Sequence, residues 1–331
     1  MAELKIAWVR KKTKAHTGPA SYLENLQKAL KGKVAGEVLE TIPKDGYDLV
    51  HIIDLKQIRL TELVSSLPII GDLHDYYWAT YKFFPSPDFF LRWILQKYRK
   101  PRYQKLIQAC DGIIVHSPAV ASYVQHQKIF MVRLGIDFEK FYALPENPRE
   151  PLILLVGRDA WRKGLYPLIR ALAWLKKNFP ELKAEVIGEE YLHSKIFARL
   201  LIRNLPLNFS TQLAPSELVK KYQQALIVYL GSWQEGFGLS LIEGISAGCC
   251  AIGSRAGGIV EIIQDKQTGL LFEPGDYQEL AEKIARVVEN PELRIQLVKE
   301  GQKLVRENFS LSQLAQDLLN AYQEVLRVAQ S

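Results

Sequence analysis

Cysteine, methionine and histidine are scarce in this chain of 331 residues, which holds three, two and six of them. Cys110, Cys249 and Cys250 fall at no metal-ligand spacing, and an odd number builds no closed disulfide framework, so they read as reduced core thiols. No apolar run reaches the roughly 18 residues of a membrane span. The opening MAELKIAWVRKK has no h-region of a signal peptide, which makes a soluble, cytoplasmic protein the expectation. A G-x-G-x-x-G turn and a G-x-x-x-x-G-K-[ST] loop are missing, which argues against a dinucleotide-dependent dehydrogenase and a P-loop NTPase. No repeat, low-complexity segment or D-x-D-type motif is present, so neither a bound metal nor a cofactor is expected.

What is present is enough apolar material for a large core. At 48% hydrophobic residues, a chain of this length usually forms two domains. Short apolar runs alternate with helical patterns, the mark of parallel α/β units. Strands are predicted at LKIAWV, EVLET, DLVHII, LPIIGDL, GIIVHS and IFMVRL in the first half. In the second they fall at LILLVG, KAEVIG, LIVYLGS, CCAIGS and TGLLF. The polar stretch LPENPREP suits a linker, which gives domains of 1–147 and 148–331 with a boundary near Asn147. Helices are predicted over 277–288, 291–307 and 311–328, and the last, about 310–329, is a candidate to pack back on the first domain. Charge is uneven: residues 1–147 carry 21 Lys and Arg against 15 Asp and Glu, while 148–331 carry 22 against 21. An anionic partner would therefore favour the first half.

The richest stretch is YLGSWQEGFGLSLIEGISAGCCAIGSRAGGIVEII, residues 229–263. A buried strand leads into a loop holding Glu235, Gly236, Phe237 and Gly238, and a helix begins near Leu239. Glycines allow close backbone approach, and the amides of a first helical turn, here around Leu239 and Ser240, attract anions such as a diphosphate. Glu243, one turn in, is placed to accept from a vicinal diol such as a ribose, and Glu235 from a sugar ring. The same segment also reads as an ordinary strand-loop-helix with a glutamate favoured near the helix start. A second element, LILLVGRDAWRKGLYPLIRAL, brings Arg158 and Lys163 to a strand's carboxyl end, where two cations suit a departing diphosphate. Solvated loop charges would give the same pattern.

Together these elements resemble the family 4 glycosyltransferases, a retaining group with the GT-B architecture. The V-G-R-x-x-x-x-K-G pattern is met by Val156, Gly157, Arg158, Lys163 and Gly164. The E-G-F-G-L element with its second glutamate is met by Glu235–Leu239 and Glu243, and a G-G-x-x-E turn by Gly257, Gly258 and Glu261. ACDGIIVHSPAV, LGIDFEKF and TGLLFEPGD extend the likeness over most of the chain. Gly244 departs from the family's usual alanine, and Cys249 and Cys250 from its x-P-V.

The resemblance implies two Rossmann-like, doubly wound α/β domains facing each other across a cleft. It implies a hexosyltransferase that takes a sugar from a nucleoside diphosphate, UDP by default, and passes it with retention to a glycan or lipid-linked hydroxyl, as in surface polysaccharide or glycolipid synthesis. Arg158 and Lys163 would bind the diphosphate, Glu243 the ribose and Glu235 the sugar, with the base near residues 213–218. His74, in GDLHDYY, matches the family's H-D element and joins Glu235, Lys163 and Arg158 as a candidate catalytic residue, although a histidine simply packed at a strand end fits too. The loop after the first strand keeps only Gly18 of a paired-glycine motif, with Lys14 and His16 as stand-ins. An epimerase or inverting transferase of the same fold, or a non-catalytic sugar-nucleotide or glycan-binding subunit, are the rival readings.

Residues 86–108 interleave Phe89, Phe90, Trp93 and Ile94 with Arg92, Lys97, Arg99, Lys100, Arg102 and Lys105. Such a helix, taken from about residue 88 and broken by Pro101, suits peripheral contact with an anionic membrane at the inner face. It equally suits a domain helix with a buried apolar face. Nucleic acid is not an expected partner, because no binding module accompanies the charge.

Overall fold

A computed structural model describes residues 3–12, 18–76, 78–80, 89–188, 204–211 and 213–329. Lys14 and His16 lie outside these, as do residues 86–88 of the basic stretch. Two compact units emerge, one from residues 1–81, 91–136 and 309–331, the other chiefly from 137–308.

The first unit is a six-stranded parallel sheet of β1 (Lys5–Val9), β2 (Ala35–Leu39), β3 (Leu49–Ile52), β4 (Ile69–Leu73), β5 (Gly112–Val115) and β6 (Ile129–Met131), in the order β2-β1-β3-β4-β5-β6. Strands β3, β4 and β5 are buried along their whole length, as expected for parallel strands covered by helices on both faces. The chain leaves β1 in one direction for β2 and returns on its other side at β3. That reversal places a switch point between β1 and β3, outside whose carboxyl ends ligands bind in such sheets. The C-terminal helix Leu311–Ala329 belongs to this unit. It packs on the helix Gly18–Leu30 and buries Leu314, Leu318, Tyr322 and Val325, each apolar side chain contributing about 1.5–3 kcal/mol of transfer free energy.

The second unit repeats the design with β7 (Glu150–Val156), β8 (Lys183–Ile187), β9 (Leu207–Ser210), β10 (Ala225–Leu230), β11 (Cys250–Ser254) and β12 (Leu270–Phe272), in the order β12-β11-β10-β7-β8-β9. Here the switch point lies between β7 and β10.

Three features differ from the sequence reading. Strand β9 was not anticipated, because LNFS is an edge strand with only its first residue buried. The division falls at Ile136 rather than near Asn147. Phe138 and Phe141 are buried in the second unit, Phe141 edge-on to Tyr222 at 6.2 Å, and Arg149 donates to the carbonyls of Tyr222, Gln223 and Ala225. Pro101 does not divide its helix, which runs unbroken from Phe89 to Gln108. A proline removes one amide donor and crowds one carbonyl, which a solvent-facing helix absorbs by bending.

Candidate functional site

The loops that follow β7 and β10 are locked together by the backbone. The Gly231 amide donates to the Lys163 carbonyl at 2.9 Å, and the Tyr229 hydroxyl donates to the Gly164 carbonyl at 2.9 Å. Gly164 has φ +94°, and a Cβ there would meet the Gly231 carbonyl oxygen at 2.5 Å. Only glycine permits this approach, so the sequence K-G sets Lys163 against the following loop. Glu235 is fixed from the other side. Its carbonyl accepts from the Gly258 amide at 3.0 Å, and a Cβ on Gly257, at φ +52°, would sit 1.9 Å from that oxygen.

This scaffold gathers a buried ionic cluster. The Glu235 carboxylate lies 3.2 Å from Lys163 Nζ and 3.7 Å from Arg162 Nη1, and accepts from Ser232 Oγ at 2.9 Å. Burial alone would raise its pKa, but Lys163 and Arg162 outweigh that and hold it below the usual carboxylate range. Lys163 sits below the ordinary lysine value, first through burial, with the repulsion of Arg162 added against the pull of Glu235. Lys163 and Arg162 thus share the Glu235 carboxylate, and Arg162 also lies 3.8 Å from Asp159. Displacing Glu235 would leave these buried cations for an incoming anion.

Next along the chain, Gly238 in the left-handed region (φ +113°) caps the helix Leu239–Ser246. The first-turn amides of a helix have no intrahelical partner, and Ser240 Oγ is buried with no hydrogen-bond partner among the described residues. Gly236 and the buried Phe237 form the bend between Glu235 and this helix. One turn in, Glu243 accepts from the Tyr222 hydroxyl at 3.0 Å, and its pKa is pushed up to about 7, mainly by burial. Arg158 is exposed at the end of β7, and no partner for its side chain is found among the described residues.

Other predicted residues lie in the first unit. Gly18 opens the helix Gly18–Leu30 and is exposed. His74, just past β4, is half-buried; its Nε2 lies 2.7 Å from the Ile53 carbonyl, and its ring stacks on His116 at 4.6 Å and meets Tyr22 edge-on. The helix Phe89–Gln108 leaves its first half in solvent, with Phe90 73% and Tyr98 76% exposed and Trp93 and Ile94 also outside, while Leu106 and Ile107 are buried.

Sequence reasoning passed over Arg162, Ser232, Tyr222 and the buried group His51, Asp72 and His116. A signal existed for the last: β3, β4 and the end of β5 each interrupt an apolar run with one titratable residue.

Two parallel sheets of this order, with a glycine-rich loop leading into a helix at the switch point of the second, define a doubly wound α/β protein of the Rossmann type. The chain belongs to the family described as glycosyl transferases group 1, whose sequence model matches residues 137–304, nearly the whole second unit. Among curated relatives, a sulfoquinovosyl transferase of Arabidopsis thaliana is 24% identical over 83% of this chain and 56% of its own length. An MMP alpha-(1->4)-mannosyltransferase of Mycolicibacterium hassiacum is 28% identical over 62% of this chain and 51% of its own. The chain thus spans about half the length of the curated relatives it matches. Among solved structures, a sucrose-phosphate synthase from Thermosynechococcus elongatus aligns with a TM-score of 0.80 and 19% identity over 98% of this chain and 100% of that one. Anabaena HepE in complex with UDP and glucose aligns with a TM-score of 0.80 and 17% identity over 97% and 100%. These likenesses establish the two-domain fold. Among the described residues, no helix is long and apolar enough to cross a membrane.

Proposed function

We propose that this chain transfers a sugar from a nucleoside diphosphate to a hydroxyl acceptor with retained anomeric configuration, UDP being the carrier to test first. The observation that carries the reading is the pairing of Lys163 and Arg162 with the single carboxylate of Glu235, beside the helix start at Gly238 and the unpartnered Ser240 hydroxyl. As the sugar–phosphate bond breaks, charge grows on the departing diphosphate. Preorganised cations and first-turn amides stabilise that charge without reorganising. Glu243 then serves the ribose diol and Glu235 the sugar hydroxyls, while Arg158 supplies a mobile cation at the rim. In this scheme neither a cofactor nor a divalent ion is needed at the diphosphate. The complex of Anabaena HepE with UDP and glucose supports the choice of carrier.

A glycan or lipid-linked acceptor would suit the basic first half, and the exposed Phe90, Trp93, Ile94 and Tyr98 favour contact with an anionic membrane. The test is a donor assay with UDP-sugars in excess chelator, with product anomers read by NMR. Turnover is expected in the wild type and lost in Glu235→Ala and Lys163→Ala with the fold intact. Full activity in either variant, or an inverted product, would overturn the proposal.

A further inference from the structure

The first unit buries a charged group that the donor chemistry does not use. Asp72 on β4 is fully buried, and neither of its carboxylate oxygens has a hydrogen-bond partner among the described residues. His51 Nε2 is 3.1 Å from Asp72 Oδ2 but out of line for a hydrogen bond. A buried carboxylate with so few well-aligned donors is unfavourable unless a cation or ordered donors reach it.

Two histidines point to the cation. His116 Nδ1 lies 2.8 Å from the Val132 carbonyl and His74 Nε2 lies 2.7 Å from the Ile53 carbonyl. A carbonyl only accepts, so these nitrogens carry hydrogen, and the nitrogens left to offer a lone pair are His116 Nε2 and His74 Nδ1. His116 Nε2 is buried with no hydrogen-bond partner among the described residues, and Tyr22, whose hydroxyl faces Asp72, packs its ring on both imidazoles at 5.1 Å. Donor atoms of Asp72, His74 and His116 lie within 4.8 Å of one another. Fixing the second ring nitrogen on a carbonyl is how proteins orient metal-ligating histidines. One carboxylate and two imidazoles suit a first-row divalent ion such as Zn²⁺ better than Mg²⁺ or Ca²⁺, which prefer oxygen.

We propose that Asp72, His74 and His116 form a divalent transition-metal site that ties the carboxyl ends of β4 and β5 and sets the orientation of His74. His74 is the half-exposed member, so an ion enters past it. The two imidazoles and the carboxylate supply three ligands, and a fourth position remains for water or the Tyr22 oxygen.

The test uses the full tag-free chain, stripped with chelator and then titrated with Zn²⁺ or Co²⁺. Metal content, the visible absorption of Co²⁺ and the melting temperature are read. About one ion per chain is expected, with ordered ligand-field bands for Co²⁺ and a raised melting temperature. Asp72→Asn and His116→Gln should weaken uptake at least about 100-fold, since loss of even an outer-shell partner costs about 10–100-fold. His74→Ala, at the exposed edge, gives the same readout if the buried variants fail to fold. UDP binding by the second unit should persist in His116→Gln. A folded wild type that takes up neither ion at micromolar concentration, or uptake undiminished from the wild type in the folded variants, would overturn the proposal.

Discussion

Replacing Glu235 by glutamine tests whether its carboxylate holds the buried cations Lys163 and Arg162 in place. Glutamine keeps the shape and the bond from Ser232 but removes the one carboxylate that Lys163 and Arg162 share. At the observed 3.2 and 3.7 Å and an effective dielectric of about 20, each attraction is worth roughly 5 kcal/mol before desolvation is counted. Breaking a buried pair costs about 3–5 kcal/mol, because the abandoned charges stay buried. For a domain of this size that lowers the melting temperature of the second unit by about 6–20 °C. Linkage gives the pH window. Glu235 is held below its unfolded value, so its contribution is complete above about pH 4.5 and disappears as pH falls through the depressed folded pKa. A bound diphosphate would return negative charge to the two cations. UDP should therefore stabilise Glu235→Gln at least as much as the wild type, while turnover is lost. Thermal denaturation at pH 7.5, with and without UDP, reads both effects. A shift under 2 °C without ligand, or loss of UDP protection in this variant, would refute the reasoning.

Other outcomes follow from the same geometry. In Gly257→Ala the added Cβ would meet the Glu235 carbonyl oxygen at 1.9 Å, so the loop must move; weakened UDP binding and a loss of a few kcal/mol in urea unfolding are expected. Glu243 is raised to about 7, so its contribution to stability is complete below about pH 4.5 and fades as pH rises through 7. If the ionised form accepts from the ribose, affinity for UDP-glucose, which has no terminal phosphate proton, should rise about tenfold from pH 6 to pH 8. That rise should vanish in Glu243→Gln, and calorimetry at both pH values decides. Tyr322→Phe removes a hydroxyl that accepts from Trp8 and lies 2.7 Å from His51 Nδ1; a loss of about 1–3 kcal/mol in the first unit is expected in denaturant titration. Replacing Arg92, Lys97, Arg99 and Lys100 with glutamine should abolish co-sedimentation with anionic liposomes, and unchanged sedimentation would end the membrane reading.

Much of this was legible in the sequence because local rules and burial agreed. Strands such as LILLVG and GIIVHS are continuous apolar runs, and the last three helices carry a strong 3.6-residue period, so eleven of the twelve strands among the described residues and all three of those helices were placed. β9 escaped because an edge strand needs little apolar content. The loop Glu235–Gly238 and its helix were readable because glycines and a helix start leave a local trace. Arg162 was not singled out, since adjacent cations look alike until Glu235 selects which of them it touches. The Asp72, His74 and His116 group left only single titratable residues in separate apolar runs, because β4 and β5, not the local chain, bring these residues together.

The central claim is that Lys163, held by the Gly164 junction against Glu235, is a diphosphate-binding cation in a site that needs no divalent ion. Calorimetric titration of UDP into the wild type and Lys163→Ala, both in excess chelator, tests it most directly. The account expects measurable binding by the wild type and at least a tenfold loss in the variant with an unchanged fold. Equal affinity in the two proteins, or no binding until a divalent ion is restored, would contradict it.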